Sequence, residues 1–333
     1  MTKLGDYSYS IYLTHFPIIV LINYTPFGGT VIGYNNFIDL IIILSITAIM
    51  SYFMYNYIEI IRFKKSLKLI NIVILVFLAS LLMLVFFGPN IQKIKYNNKQ
   101  SLIFEAIEDR ATYRCGKLSR VLSPLSSFCQ INSVNYESKV LLLGDSHSDS
   151  IKVAFSDTMN LKKISTYFYI HNNPLASTVT SSQKIAEKIN LLNINKVVMH
   201  FHINYYKHHN KKTEIEKFIY LMKSKGIEVL FISPIPTYDS SIPKLMYGKT
   251  IDKNIVSTKQ NLEDYLALNK DFFNFMEDIK FDINKIYFTH DYLCNYQSCI
   301  TQINNYPIYF DKSHLNLKGS NILKPLFEEI AKK

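Results

Sequence analysis

Three long stretches without a formal charge lie before residue 90, and they limit what this chain can fold into more than any other feature. Residues 7–24, 40–58 and 69–87 contain no Asp, Glu, Lys or Arg. A helix rises about 1.5 Å per residue, so roughly 20 apolar residues cross the hydrocarbon core of a bilayer. We therefore predict three transmembrane helices. Buried helices of a soluble protein are the alternative, and three such runs so close together disfavour it.

The cations between these stretches predict the orientation of the chain in the membrane. Arg62, Lys64, Lys65 and Lys68 follow the second stretch, whereas residues 25–39 contain no Lys or Arg. Loops that are rich in Lys and Arg remain in the cytoplasm. We therefore expect a cytoplasmic N-terminus and an extracytoplasmic location for the rest of the chain after the third stretch.

All four cysteines follow the third stretch, and they form two local pairs along the sequence. Cys115 lies near Cys129, and Cys294 lies near Cys299. An even number of cysteines in an exported segment favours disulfides. Neither pair has the Cys-x-x-Cys spacing of a zinc site, and free buried thiols remain the alternative. The predicted disulfides agree with the location that the charges predict.

The chain is basic, with a formal net charge of +11 from 37 basic and 26 acidic residues. Most of the basic residues are scattered lysines, without the Arg-rich stripe or the aromatic motif of a nucleic-acid-binding protein. We therefore expect no nucleic-acid partner. Attraction to anionic lipid headgroups or to acidic glycans is the use that this charge favours.

Short apolar runs alternate with polar helical segments after a connector at residues 89–136. The runs that predict strands are 140–143, 164–170, 196–201, 227–233 and 286–288. The clearest helical patterns lie between them, at residues 182–192 and 214–225. Strands separated by helices indicate a parallel sheet that is covered on both faces.

The segment Gly144-Asp145-Ser146-His147 directly follows the first predicted strand. Reactive groups in open parallel sheets gather at the carboxyl ends of the strands. A serine on such a turn exposes its hydroxyl, and its backbone N–H at a helix N-terminus suits an oxyanion. Ser146 is therefore a candidate nucleophile. Serine is also a favoured helix N-cap, which is the structural alternative.

A second segment that carries chemistry, Asp311-Lys312-Ser313-His314, lies near the C-terminus. A nucleophilic serine needs a base, and the base needs a carboxylate that fixes its tautomer. An Asp three residues before a His supplies both groups from one loop. We therefore predict His314 as the general base and Asp311 as its orienting acid, with a capping or surface histidine as the alternative.

Together, these two segments resemble the SGNH (GDSL-type) hydrolase superfamily, over roughly residues 137–333. The resemblance implies a flavodoxin-like α/β/α fold with a parallel sheet. It also implies that Ser146 is the nucleophile, that His314 and Asp311 complete a catalytic triad, and that the backbone N–H of Ser146 contributes to the oxyanion hole.

The superfamily uses a Gly and an Asn as further oxyanion donors, and here the sequence departs from its pattern. Asn204, just past the third strand, is the candidate for the Asn. Asn172 or Asn173, after the second strand, lies where the Gly would fall, and no Gly is present. We interpret His200 and His202 as structural or substrate-contacting residues.

The N-terminal part resembles the end of the integral-membrane acyltransferase family 3 (AT3). Residues 4–17 resemble a late helix of that family, and residues 51–62 resemble its last helix, with Glu59 and Arg62 at the exit. The two local cysteine pairs also resemble the AT3–SGNH fusions. The resemblance implies four regions: the last two membrane helices at residues 1–65, an additional transmembrane helix at 66–88, a connector at 89–136 and the SGNH domain at 137–333.

Fusions of this kind O-acetylate bacterial surface polysaccharides such as O-antigen. The resemblance therefore implies an inner-membrane protein with a periplasmic SGNH domain, a surface glycan as acceptor and the lipid bilayer as a partner. The AT3 membrane domain is much longer than the part matched here, and its acyl-handling His and Arg lie in the helices that are missing. We therefore expect a truncated or split product, a partner of a separate membrane acyltransferase, or an anchored esterase.

No cofactor or metal site is predicted, and acetyl-CoA would serve as the ultimate acyl donor only through the missing membrane half. Transferase and esterase differ only in the acceptor that reaches the acyl-serine, so the sequence leaves both open. A non-catalytic glycan-binding module and a lipid-directed lipase or thioesterase are the further alternatives.

Overall fold

The computed structural model of the protein describes residues 5–25, 27, 29–30, 37–59, 75, 96–116, 128–131, 134–175, 181–252, 255 and 260–332. The chain divides into two units, Met1–Asn97 and Asn98–Lys333.

The first unit contains two apolar helices, α1 (Ser8–Asn23) and α2 (Phe37–Met54), and α2 continues into a π-helical turn at Tyr55–Glu59. Helix α2 with this turn has 23 residues and a mean hydropathy of 2.1, enough by length and composition to cross a membrane. Within the described residues it is the one helix that meets this criterion. Helix α1 has 16 residues. The third predicted span, residues 69–87, lies outside the described residues except for Leu75, so the prediction of three spans stays a prediction.

Polar groups lie between α1 and α2, whereas apolar side chains face outward. The hydroxyls of Thr14 and Ser51 are 2.8 Å apart, and Ser10 Oγ donates to Glu59 Oε2 at 2.7 Å. On the outer faces, large side chains such as Leu44 are exposed. Interhelical hydrogen bonds and an apolar exterior are typical of helices that pack in lipid.

The second unit is built on a six-stranded sheet. Its strands are β1 (Phe128–Gln130), β2 (Ser138–Gly144), β3 (Ile164–Ile170), β4 (Lys196–His200), β5 (Glu228–Ile232) and β6 (Lys285–Tyr287), in the spatial order β1-β3-β2-β4-β5-β6. All neighbours pair in parallel except β1, which is antiparallel to β3. The predicted parallel α/β sheet is therefore confirmed, and only the antiparallel edge strand was missed.

Each strand sends alternate side chains to opposite faces of the sheet, and both faces are buried. Leu141 and Leu143 of β2 belong to one core cluster, and Val140 and Leu142 belong to the other. This double burial explains why the strands read as continuous apolar runs in the sequence.

Helices cover both faces of the sheet and complete the second unit. They are α3 (Asn98–Glu108), α4 (Ser146–Leu161), α5 (Ser182–Leu191), α6 (His209–Lys223), α7 (Ile242–Ile251), α8 (Leu262–Leu268), α9 (Lys270–Asp278), α10 (His290–Leu293), α11 (Leu317–Asn321) and α12 (Lys324–Ala331). A 3₁₀ turn at Ile203–Tyr205 follows β4. Short antiparallel strands, Gln302–Ile303 and Tyr306–Pro307, precede α11.

Both predicted disulfides are formed. Cys115 is bonded to Cys129 of β1, and Cys294 is bonded to Cys299. The first bond ties the segment after α3 to the edge strand of the sheet, and the second closes a short loop after α10.

The five parallel strands have the order 2-1-3-4-5 when they are counted along the chain, which is the flavodoxin-like order. In such a sheet the connections leave the first strand toward opposite sides, and a crevice opens at the carboxyl ends of the first and third strands. Here these strands are β2 and β4. The fold therefore places its natural site between Ser146 and the residues that follow His200.

Candidate active site

Ser146 is the first residue of α4 and lies directly after the turn that ends β2. The turn needs a glycine, since a Cβ on Gly144 would collide with the backbone carbonyl of His200 and with the hydroxyl of Ser148. Without a Cβ at Gly144, the ends of β2 and β4 can approach closely. Ser146 lies at the carboxyl edge of the sheet because it follows the end of β2.

Asp145 caps α4 and joins the ends of two strands. One carboxylate oxygen accepts the backbone N–H of His147 at 2.9 Å, and the other accepts that of His202 at 2.9 Å. Burial raises the pKa of Asp145, although both backbone hydrogen bonds and the nearby charge of His314 act in the opposite direction. Its role is to fix the position of His202 relative to the first turn of α4. The N-cap is thus Asp145, so the alternative of a capping Ser146 does not apply.

Ser146, His314 and Asp311 form a continuous chain of hydrogen bonds. His314 Nε2 lies 2.8 Å from Ser146 Oγ, and His314 Nδ1 lies 2.7 Å from Asp311 Oδ2. The other oxygen of Asp311 accepts the backbone N–H groups of Ser313 and His314, each at 2.8 Å. Because Asp311 accepts from Nδ1–H, the lone pair of Nε2 faces the serine hydroxyl. The structure thus brings together two segments that are far apart in the sequence.

Burial alone would raise the pKa of Asp311, but the hydrogen bond and charge of His314, with the two backbone N–H groups, bring this pKa below its ordinary value. Asp311 is therefore ionised at neutral pH. A fixed carboxylate on Nδ1 stabilises the positive charge that the imidazole gains when it accepts a proton.

The ring of His314 packs against an aromatic neighbour. Phe310 stacks on it with a centroid distance of 5.3 Å and an interplanar angle of 9°, and the Arg110 guanidinium lies 5.3 Å from the Phe310 centroid. The side chain of His314 is 19% exposed, so the Ser–His pair is open to a substrate.

Three further histidines lie near the hydrogen-bonded Ser146, His314 and Asp311. The ring of His147 lies between those of His314 and His202, at centroid distances of 4.5 and 4.6 Å, and 6.2 Å from that of His200. Burial lowers the pKa of His147 well below its usual value and lowers that of His200 to about 4. Both are therefore neutral at physiological pH. The sequence did not indicate this cluster, because it depends on β2 and β4 being neighbours.

The two predicted asparagine donors lie in the segments that follow β3 and β4. The side chains of Asn204 and Asn173 are exposed. The backbone N–H of each donates to the Nδ1 atom of the histidine two residues earlier, which is His202 for Asn204 and His171 for Asn173. Asn172 accepts a hydrogen bond from the Arg114 guanidinium at 2.6 Å. None of these amide side chains is hydrogen bonded to Ser146 or His314 among the contacts of the described residues.

A buried ion pair fixes the far side of α4. Lys152 Nζ lies 2.6 Å from Asp149 Oδ1 and also donates to the backbone carbonyls of Thr112 and Arg114. Burial lowers the pKa of Lys152, and the carboxylate of Asp149 opposes this effect. Through this pair, the segment that carries Cys115 is attached to the helix that begins at Ser146.

A cleft of about 540 Å³ opens beside α7, between Lys249 and Thr301. The residues that line it include none of the Ser146–His314–Asp311 chain, so the candidate site is the open crevice at the sheet edge instead. Within the described parts of the chain, no group of three or more His, Cys, Asp or Glu side chains is placed to hold a metal ion.

Seven chains among the solved structures are similar to this protein, including the following two. The periplasmic domain of a lipopolysaccharide acetyltransferase from Salmonella ser. Paratyphi A is 17% identical, with a TM-score of 0.48, and the match covers 71% of this chain and 98% of that one. A putative acylhydrolase from Bacteroides fragilis is 14% identical, with a TM-score of 0.37, over 60% of this chain and 88% of that one. No curated protein sequence matches significantly.

The sequence itself matches a family model described as an SGNH domain fused to AT3 domains, over residues 114–329. This segment holds the edge strand, the whole parallel sheet and the hydrogen-bonded chain at its carboxyl edge. Since the match covers more than half of the sequence, the protein belongs to the family of SGNH domains that are fused to AT3 domains.

Proposed function

We propose that this protein transfers an acetyl group to a hydroxyl of a bacterial surface polysaccharide, through an acyl-serine formed on Ser146. The observation that carries the proposal is the hydrogen-bonded chain from Ser146 through His314 to Asp311, with contacts of 2.8 and 2.7 Å. At the first distance a general base can accept a proton from a nucleophile, and the second is that of a hydrogen bond that orients the base.

The first half-reaction follows from this geometry. Ser146 Oγ attacks the carbonyl carbon of the acyl donor, and its proton passes to His314 Nε2 while the carbonyl electron pair moves to oxygen. The tetrahedral intermediate then collapses, and the leaving alkoxide takes the proton from His314. Asp311 remains ionised throughout and stabilises the imidazolium.

The second half-reaction uses the same groups in reverse. His314 accepts the proton of a sugar hydroxyl, whose oxygen attacks the acyl-serine, and Ser146 regains its proton as the ester of the glycan departs. Water in place of the sugar gives an esterase. The site is open to solvent at His314, which favours hydrolysis as the second activity when no glycan is bound.

The choice of a surface glycan rests on the family and on the N-terminal unit. SGNH domains of this family are fused to AT3 domains, and residues 1–65 resemble the end of such a domain. We propose that α2 anchors the chain in the inner membrane, that the SGNH domain faces the periplasm, and that an AT3 membrane domain delivers acetyl groups from acetyl-CoA.

The test uses the full chain, purified in detergent with its disulfides intact. Hydrolysis of a chromogenic acetyl ester is followed with and without surface-polysaccharide oligosaccharides, whose mass reports acetylation. We expect Ser146→Ala and His314→Ala to abolish ester cleavage, whereas Ser224→Ala, an exposed serine at the end of α6, retains it. Acetyl mass on the oligosaccharide would identify a transferase. A folded wild-type chain without ester cleavage would favour a glycan-binding module, and a preference for long acyl esters would favour a lipase.

A further inference from the structure

An acyl-transfer site must stabilise the negative oxygen of its tetrahedral intermediate, and removal of one such donor in comparable enzymes lowers the rate by about 10²–10³-fold. The backbone N–H of Ser146, in the first turn of α4, has no carbonyl partner within the helix and supplies one donor. The side-chain donor that the sequence predicted, Asn204, is exposed, and among the described residues no hydrogen bond joins it to Ser146 or His314. His202, two residues earlier in the same segment, is a second candidate for the side-chain donor.

His202 is fixed in position relative to the first turn of α4, the helix that begins at Ser146. Its backbone N–H donates to Asp145 Oδ2 at 2.9 Å, and the other oxygen of this carboxylate caps α4 at His147. Its ring packs on the ring of His147, which in turn packs on that of His314. One carboxylate and one ring thus connect His202 to both ends of the Ser146–His314 pair.

The tautomer of His202 is also determined by its contacts. Its Nδ1 atom accepts the backbone N–H of Asn204 at 3.2 Å, so in the neutral ring the proton resides on Nε2. Among the residues that the structure describes, no acceptor is hydrogen bonded to this Nε2–H. The hydrogen bond at Nδ1 orients the ring of His202, and its Nε2–H is therefore available to an acceptor on a substrate.

The ring remains neutral at physiological pH. Burial, followed by the positive charges of His314, Lys207 and Lys312, lowers the pKa of His202 to about 4, and only Asp311 opposes them. A neutral donor has a clear advantage here, because a cationic His202 would repel the imidazolium that forms on His314 during the reaction.

We propose that His202, and not Asn204, is the side-chain donor of the oxyanion hole: its Nε2–H donates a hydrogen bond to the negatively charged oxygen of the tetrahedral intermediate on Ser146. This inference rests on the proposed acyl transfer and names a further catalytic residue for it. His147 has both ring nitrogens buried without partners, so it supports the ring of His202 and does not reach the substrate.

The test compares two variants of similar length, His202→Gln and His202→Met, in the full chain with a chromogenic acetyl ester. Gln offers an N–H donor and Met does not, and both lose the packing of the histidine ring. The ratio of their kcat values therefore reports the hydrogen bond alone. We expect His202→Met to lose about 100-fold in kcat with little change in KM, and His202→Gln to retain at least about tenfold more. Melting temperatures of both variants establish that they are folded.

A second readout is the inhibition constant of a trifluoromethyl ketone, which forms a hemiketal oxyanion with the serine. We expect its affinity to fall by the same factor as kcat/KM in His202→Met. Equal kcat values for the Gln and Met variants would overturn the proposal, as would a larger loss in Asn204→Ala than in His202→Met.

The outcome also separates this inference from the proposed function. A wild-type chain that cleaves the ester and loses activity in Ser146→Ala, with His202→Met at the wild-type rate, would overturn the role of His202 alone. A folded wild-type chain without activity would overturn both.

Discussion

The buried histidine His200 makes the stability of the second unit depend on pH. Its side chain is fully buried, Nδ1 donates to the backbone carbonyl of Ile232 at 3.2 Å, and Nε2 has no hydrogen-bond partner. Burial lowers its pKa to about 4, whereas an unfolded chain has the ordinary value of about 6.5. Between these two values, the unfolded state binds a proton that the folded state does not.

The sign and size of the effect follow from proton linkage. Because the unfolded state binds more protons below about pH 6.5, acidification stabilises it and lowers the free energy of unfolding. One pKa unit corresponds to about 1.4 kcal/mol, so acidification from pH 7 to pH 5 costs about 2 kcal/mol from His200 alone. The loss begins near pH 6.5 and levels off near pH 4. His147 shifts in the same direction and adds to it.

The assay is urea unfolding of residues 98–333, monitored by circular dichroism at pH 7 and pH 5, for the wild type and for His200→Gln. Gln retains a donor toward Ile232 but does not titrate. We expect the pH-dependent loss of stability to be about 2 kcal/mol smaller in the variant than in the wild type. The same pH-dependent loss in both proteins would refute the assignment of a depressed pKa to His200.

Three other predictions follow from single contacts. Gly144→Ala should lose at least about 4 kcal/mol in thermal unfolding, because the new Cβ collides with the carbonyl of His200, and a near-native melting temperature would contradict this. Lys152→Met should cost about 3–5 kcal/mol in urea unfolding, because Asp149 is left buried without its cation, and adding Asp149→Asn should recover part of the loss. Asp311→Asn should lower kcat for an acetyl ester about 10⁴-fold through the wrong histidine tautomer, with the fold intact, and an unchanged kcat would argue against the proposed base.

Much of the sheet could be predicted from the sequence because its strands are buried on both faces. The run at residues 164–170 coincides with β3, and the other parallel strands differ from their predictions by one or two residues at an end. The edge strand β1 escaped prediction because it has only three residues and because it is held by a disulfide and by pairing with β3.

The catalytic residues of the candidate site were predictable where a short segment contains the reactive residue types. Ser146 follows a buried strand, and Asp311 and His314 share one loop, so residue type and order sufficed to select them. The positions of Asn204 and His202 were not predictable in the same way. Their positions are set by a backbone hydrogen bond from His202 to Asp145 and by a 3₁₀ turn, and neither has a clear signal in the sequence.

The short strand β1 has a consequence for how the chain behaves before its cysteines are oxidised. It covers the outer edge of β3, which reads Ile-Ser-Thr-Tyr-Phe-Tyr-Ile and contains no charge, Pro or Gly. An uncharged segment of this kind at an open sheet edge is a template for intermolecular β-pairing and aggregation. The disulfide between Cys129 and Cys115 holds β1 at this edge. A chain retained in a reducing compartment would therefore be the aggregation-prone form of this protein, and export would protect it.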